Sequence, residues 1–383
     1  MNRPIYLDYN ATTPVAPEVA AAIRLWLEEQ FGNPSSSHLY GQLAKQAVAQ
    51  ARSHVAALIG AQADEIVFTG SATEANNLAL LGIARALGNQ KRHMIISAVE
   101  HPAVMQPALH LRQIGWDVAI LPVDTTGRVN VTDVAAALRP DTALISVMHA
   151  NNEVGTIQPV AEIAALAKAN GTLMHTDAAQ SAGKVEIDVA ALGVDLLTLA
   201  GHKFYAPKGI GALYVRRGVA IKQILFGADQ EHGRRPGTEN VPYIIGFGEA
   251  AKLAHERLPA ATRHLGELRD ALHRLLLDAV PVLLLNGHPE YRLPNTLHVS
   301  FPGVSGRDLL AAAANEVAAS VGSACHSDAD AVSGVLAAMD CSPARARGAV
   351  RLSVGMHTTI PEVERAAAAL SDAFAQIGSG RRP

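Results

Sequence analysis

The residues of this chain that could do chemistry stand just after short apolar runs. The run at residues 173–176 leads to Asp177, followed by Ala178, Ala179 and Gln180, and the run at 196–199 leads into Ala200, Gly201, His202 and Lys203. A third run, 66–69, passes through Gly70, Ser71, Ala72, Thr73 and Glu74 into a segment with helical spacing. Taken singly these signals are bland, since a carboxylate at a strand end is often a solvated cap and Ser or Thr before a helix is usually its N-cap. A lysine directly after glycine and histidine at a strand end is less ordinary. Together the three stretches supply an amine, a carboxylate and, in the amides of Ser71 to Thr73 at the positive end of a helix, a cradle for an anion. Pyridoxal phosphate requires those groups: the amine for a Schiff base, the carboxylate for the pyridinium nitrogen and the cradle for the phosphate.

A thiol forms the second chemical centre. Cys325 is flanked by Gly322, Ser323 and Ala324 on one side and by His326 and Ser327 on the other. Buried structural cysteines have apolar neighbours, so a cysteine in this setting reads as a functional thiol. The polar stretch 326–334 reads as a loop that lets the thiol reach a cofactor and then a partner. Cys341 reads as a surface or packing cysteine. Two cysteines in 383 residues make neither a secreted disulfide framework nor a four-ligand structural zinc site, and they point to the reducing cytoplasm.

An open α/β sheet would bring these residues to one place. Seven short apolar runs, at 66–69, 94–97, 118–121, 144–148, 173–176, 196–199 and 211–215, alternate with helical stretches such as 73–87 and 160–170. That alternation is the signature of a mostly parallel seven-stranded sheet sandwiched by helices. In such sheets a ligand sits beyond the carboxyl ends of the strands, where the polar residues named above stand. After Pro242 a long helical region, with a break expected at Leu258-Pro259, leads to a part in which residues 296–301 alternate like a half-buried strand. We therefore expect a large domain at 15–257 and a smaller α+β domain made of 1–14 and 258–383. A net charge of -3 gives no strong basic field, and 4% aromatic residues leave few stacking platforms, which disfavours a nucleic-acid partner. The start of the chain lacks the pattern of a secretion signal, and no apolar run is long enough for a membrane span.

The ordered set of motifs resembles the NifS/IscS-like cysteine desulfurases over nearly the whole chain. It runs from Tyr6-Leu7-Asp8-Tyr9-Asn10-Ala11-Thr12-Thr13-Pro14, through Glu100-His101-Pro102 and His149-Ala150-Asn151-Asn152-Glu153, to Val350-Arg351-Leu352-Ser353. The resemblance implies an aspartate-aminotransferase-like fold, pyridoxal phosphate and a homodimer. It implies that Lys203 bonds the cofactor covalently, Asp177 bonds its pyridinium, His101 stacks on its ring, and Asn152 and Gln180 hydrogen-bond it. Ala72, Thr73 and His202 would surround the phosphate, with Thr238 reaching in from the other subunit on its Arg235-Pro236-Gly237-Thr238 stretch. Arg351, with Asn152 beside it, would clamp the carboxylate of L-cysteine. Cys325 would take the substrate sulfur as a persulfide and hand it to acceptor proteins, for iron–sulfur clusters or other thio-groups, with His101 in proton transfer. No resident metal is implied, and Cys325 stays open as a transient iron–sulfur ligand.

Without the resemblance each residue has a plainer reading. His101 would be a satisfied histidine at a turn, Asn152 an Asx-turn, Gln180 a surface amide, Thr238 a turn residue and Arg351 a charge on a solvated face. A lyase for selenocysteine or cysteine sulfinate, and a catalytically weak sulfur-transfer scaffold, are the alternative functions. The sequence departs from the family pattern in three places. Ala200 replaces a serine that gives the phosphate a hydroxyl, Gly70-Ser71 reverses the usual order, and Met356-His357 replaces a basic and an aromatic residue while the loop after Cys325 lacks a proline.

Overall fold

The computed structural model describes residues 3–88, 90–322 and 333–379. The chain enters through a two-residue strand, β1 (Ile5–Tyr6). Seven strands then build one sheet: β2 (Ile66–Thr69), β3 (His93–Ser97), β4 (Asp117–Leu121), β5 (Thr142–Ser146), β6 (Leu173–Asp177), β7 (Leu196–Ala200) and β8 (Gly211–Val215). Their order is β2-β8-β7-β6-β5-β3-β4. The run from β4 through β3, β5 and β6 to β7 is parallel, and β8 is antiparallel to both its neighbours. All residues of β3, β5, β7 and β8 are buried, as strands covered on both faces by crossover helices must be. Ile95, Ile145 and Leu197 point into one apolar layer, and Met94, Leu144 and Leu196 into the other. The expected mostly parallel α/β sandwich is the architecture observed.

A second sheet follows. The strands β9 (Leu284–Asn286), β10 (Thr296–Ser300) and β12 (Ala349–Ser353) pair antiparallel in the order β12-β10-β9, while β11 (Val317–Ala318) lies parallel to β1. Leu297, Val299 and Leu352 from this sheet pack with Leu268, Leu272 and Leu370 in an apolar cluster of their own, which Ile5 and Leu7 join.

One helix, Val241–Ala279, joins the two clusters. The expected break at Leu258-Pro259 does not occur: the helix continues through Pro259. Proline removes the donor for the carbonyl of His255, but both residues are exposed, so water can serve that carbonyl. Phe247 and Ala251 ahead of the proline belong to the large-sheet cluster, and Leu265, Leu272 and Leu276 beyond it to the second. Burial on both sides outweighs the roughly 3 kcal/mol that an interior proline costs. Among the described residues no helix is long and apolar enough to cross a membrane.

Candidate active site

The strands β2, β3, β6 and β7 all deliver their carboxyl ends to one edge of the large sheet, and the site is assembled there. After β2, the N–H of Gly70 donates to Glu74 Oε2 at 2.7 Å. A Cβ at position 70 would lie 2.9 Å from that oxygen, so a larger residue there would displace the Glu74 carboxylate. Ser71 caps the helix Ala72–Leu87, its hydroxyl accepting the Glu74 N–H at 3.2 Å. The amides of Ala72 and Thr73 at the start of that helix have no intrahelical acceptor and are available to an anion. β8 presses on this loop through Gly211, where a Cβ would sit 2.7 Å from the carbonyl carbon of Ser71.

Asp177, at the end of β6, is 5% exposed. Its Oδ2 accepts from Asn76 Nδ2 at 2.7 Å and its Oδ1 from the Ala179 N–H at 2.9 Å, two donors aimed at the charged form. The other amide atom of Asn76, Oδ1, is buried without a hydrogen-bond partner. Asn76 escaped the sequence reading. Its signal, one helical turn after Ala72, acquires meaning only when the helix is set against β6.

Lys203 ends the short turn Gly201–Lys203 after β7. Its Nζ donates to the carbonyls of Asn10 and Ala11 at 2.6 and 2.9 Å, so the N-terminal segment lies over the strand end. The same segment fixes His202, whose carbonyl accepts the Thr13 N–H at 3.0 Å and whose Nδ1 lies 3.2 Å from Thr12 Oγ1. Burial first, then the charges of Lys203, Lys208 and Lys184, push His202 down to about 4, so its ring is neutral near pH 7. His101 caps the helix Pro102–Gln113, its Nδ1 accepting the Ala103 N–H at 3.1 Å. In the neutral ring that bond assigns the proton to Nε2. Burial lowers the His101 pKa, the Asp177 charge opposes this, and the Lys203 charge adds to it.

Three of the plainer readings are displaced by the geometry. Asn151, not Asn152, makes the Asx-turn, its Oδ1 accepting from the N–H groups of Glu153 and Val154 at 2.9 and 3.0 Å. Gln180 is no surface amide: it is buried, donates to the Asn10 carbonyl at 3.0 Å and accepts from Lys184 Nζ at 3.2 Å. Arg351 is only 2% exposed, its Nη2 bonded to Asp8 Oδ1 at 2.7 Å, its Nη1 to the Asn152 carbonyl at 3.0 Å, and its Nε buried without an acceptor.

Lys203, Asp177, His101, Asn152, Gln180 and Arg351 line one cavity of about 270 Å³. Ala72, Thr73, Ala200 and His202 are also in its wall, as are Asn10 and Asn76. Thr238 is exposed and not part of that lining, although its neighbour Arg235 pairs with Glu74 at 2.8 Å. Cys325 lies outside the described residues. Among the described residues no group of three or more His, Cys, Asp or Glu could hold a metal.

Pyridoxal phosphate fits this donor set. The cavity joins an amine at Lys203, a buried carboxylate at Asp177 and the start of the Ala72–Leu87 helix, and the orphaned Asn76 Oδ1 and Arg351 Nε mark polar capacity left over in its wall. Sheet, strand ends and donor set define a pyridoxal-phosphate-dependent enzyme of the aspartate-aminotransferase-like fold.

The class-V aminotransferase model matches residues 5–366. The cysteine desulfurase IscS of Dictyoglomus turgidum is 45% identical over 94% of this chain and 91% of its own length. Among solved structures, a NifS-like protein superposes with a TM-score of 0.91 at 35% identity, covering 97% of this chain and 99% of that one. The structure titled SspA in complex with cysteine has a TM-score of 0.81 at 36% identity, covering 92% and 99%. The chain belongs to the class-V aminotransferase family, among its NifS/IscS-like members.

Proposed function

We propose that the protein is an L-cysteine desulfurase, which converts L-cysteine to L-alanine and passes the sulfur, held as a persulfide on Cys325, to acceptor proteins. The observation that carries this reading is the convergence of Lys203, Asp177 and Arg351 on one cavity. Asp177 would hold the pyridinium, the first-turn amides of Ala72 and Thr73 with His202 the phosphate, and Asn152 and Gln180 the ring substituents. His101 would stack on the ring. When bound, the cofactor supplies an electron sink that weakens the bonds at the substrate α-carbon.

Arg351 and Asn152 would orient the substrate carboxylate, a task suited to a planar guanidinium fork. Lys203 would move the α-proton as a neutral amine. His101 presents a protonated Nε2 in its neutral form and serves as a proton donor. Cys325, as thiolate, attacks the substrate sulfur. A sulfur–sulfur bond forms while the carbon–sulfur bond breaks, the electron pair stays with the three-carbon skeleton, and proton return completes alanine.

The same reading extends to assembly and place. The protein would act in the cytoplasm as a homodimer, with Thr238 serving the cavity of the partner subunit. Its large domain would be 15–257, and its small domain 1–14 with 258–383, a division supported by the separate apolar clusters. Alanine release from L-cysteine, measured beside a Cys325→Ala variant of matched cofactor content, tests the function. Release that vanishes in the variant supports it; no release from the wild type, or release that survives loss of Cys325, rejects it.

A further inference from the structure

Glu153 belongs to none of the roles above, although it follows Asn152 directly. It is 3% exposed, and its N–H donates to Asn151 Oδ1 at 2.9 Å. Its Oε2 accepts from Ser333 Oγ at 2.5 Å. The same oxygen faces Gly322, where a Cβ would lie 3.2 Å from it and 3.9 Å from the Cβ of Ser333. Gly322 and Ser333 therefore meet over one buried carboxylate, although residues 323–332, with Cys325 among them, stand between the two in the chain.

Each flank has a second hold. Upstream, Ser320 bridges to Arg351, whose N–H donates to the Ser320 carbonyl at 2.6 Å, and Ser320 Oγ donates to the Gly322 carbonyl at 2.8 Å. Downstream, Ser333 caps the short helix Gly334–Ala338, its hydroxyl accepting from the N–H groups of Val335 and Leu336 at 3.2 and 3.5 Å. Val335, Leu336 and Met339 then pack with Val99, Met148 and Val154, and Met148 lines the cavity. The chain thus departs toward Cys325 from the strand of Arg351 and returns beside Asn152. Those are the two residues assigned above to the substrate carboxylate, and they are themselves joined, Arg351 Nη1 to the Asn152 carbonyl at 3.0 Å.

The geometry points to Glu153 as a positioning residue for Cys325: by holding Ser333 against Gly322 it fixes, relative to Arg351 and Asn152, the base from which the thiol reaches the substrate. This inference rests on the desulfurase reading, in which Cys325 must meet the substrate sulfur. Cys325 follows Gly322 by three residues, a reach of at most about 11 Å, so a displaced base carries the thiol with it. A carboxylate suits the task because it accepts at both oxygens. It commits the Ser333 hydroxyl to donating, and leaves that hydroxyl's lone pairs for the Val335 and Leu336 amides.

The test reads Cys325 in the holoenzyme by two routes. A nitroxide spin label on Cys325, in a Cys341→Ser background, reports local motion in Ser333→Ala, Ser333→Thr, Glu153→Leu and the parent. The same substitutions in unlabelled protein are assayed for alanine release from L-cysteine at matched cofactor content. Ser333→Ala and Glu153→Leu should each raise the mobile fraction of the label and lower kcat about tenfold with KM within about twofold. Ser333→Thr keeps the hydroxyl and should match the parent. The double variant Glu153→Leu/Ser333→Ala should be no worse than the worse single one, because both remove the same bond. Ser333→Ala deletes one half-buried hydroxyl and suffices if Glu153→Leu does not fold. An unmoved label spectrum overturns the proposal, as do effects that multiply in the double variant, a raised KM with kcat unchanged, or a Ser333→Thr spectrum like that of Ser333→Ala. Absence of alanine release from the wild type rejects the desulfurase reading, and the label spectrum alone then decides whether Glu153 holds this base.

Discussion

Arg351, in the wall of the cavity, is bonded to Asp8 behind it, Nη2 to Oδ1 at 2.7 Å, although the two come from opposite ends of the chain. The bridge between Asp8 and Ser353 sets the N-terminal segment beside β12 and so makes this contact. The guanidinium that we propose receives the substrate carboxylate therefore already carries one carboxylate. An incoming carboxylate shares the fork with Asp8 or displaces it.

From this follows a pair of opposite effects. Arg351→Leu should raise the KM for L-cysteine by about 30-fold or more, since losing one partner of a buried charge pair costs about 2–5 kcal/mol. Asp8→Asn keeps the shape, removes the competing charge and should lower KM several-fold with kcat little changed. It should also destabilise the fold by about 3 kcal/mol, because a buried cation loses its partner. Steady-state kinetics with thermal denaturation read both effects. A raised KM in Asp8→Asn would mean that Asp8 only orients the arginine.

Asn76 offers a separate test at the other end of the cofactor. Its bond to Asp177 is a charge-assisted one between buried groups, worth about 1.5–3 kcal/mol. Asn76→Ala should weaken pyridoxal phosphate binding by roughly ten- to a hundredfold, measured by titrating cofactor-free protein and following absorbance. A change under about threefold would leave Asp177 held well enough by the Ala179 amide alone.

These residues also mark where the sequence was legible. Asp177, Lys203 and the Ser71 loop stand directly after apolar runs, so strand periodicity places them at one sheet edge without coordinates. Asn10, Asn76 and Glu153 were not legible, because each acts across elements far apart in the chain. Asn10 meets Lys203 and Thr296 only once the N-terminal segment crosses the cavity. Pro259 misled for a different reason: a local breaker rule met a helix with apolar partners on both sides of it, and tertiary burial won. Arg351 could be assigned to a face of its strand, but its burial depends on Asp8, which strand alternation does not contain.

Ala200 gives the site a measurable weakness. It is buried in the cavity wall beside Ala72 and Thr73, with no hydroxyl to offer the phosphate. Ala200→Ser should strengthen cofactor retention by about 0.5–1.5 kcal/mol, and by up to about 3 kcal/mol if the bond to the phosphate forms well. Dialysis followed by cofactor assay reads this directly. Equal loss from both proteins would mean that the helix amides and His202 already saturate the phosphate.

Glu100 makes stability depend on pH. Its Oε1 accepts from Ser97 Oγ at 2.6 Å and from the Met148 N–H at 2.8 Å, while Oε2 is buried without a partner. Burial, with a smaller push from Asp177, raises its pKa from 4.5 to about 8 against the lowering effect of those two bonds. The folded protein therefore binds a proton here that the unfolded chain gives up above 4.5. The resulting stabilisation is complete below that value and is lost as pH rises through about 8. Glu100→Gln cannot titrate, so its melting temperature relative to wild type should climb between about pH 5 and about pH 8 and level off above. Other titrating groups cancel in that difference. A difference that stays constant across the range would mean that Glu100 is ionised in the folded protein and that its second oxygen finds a donor.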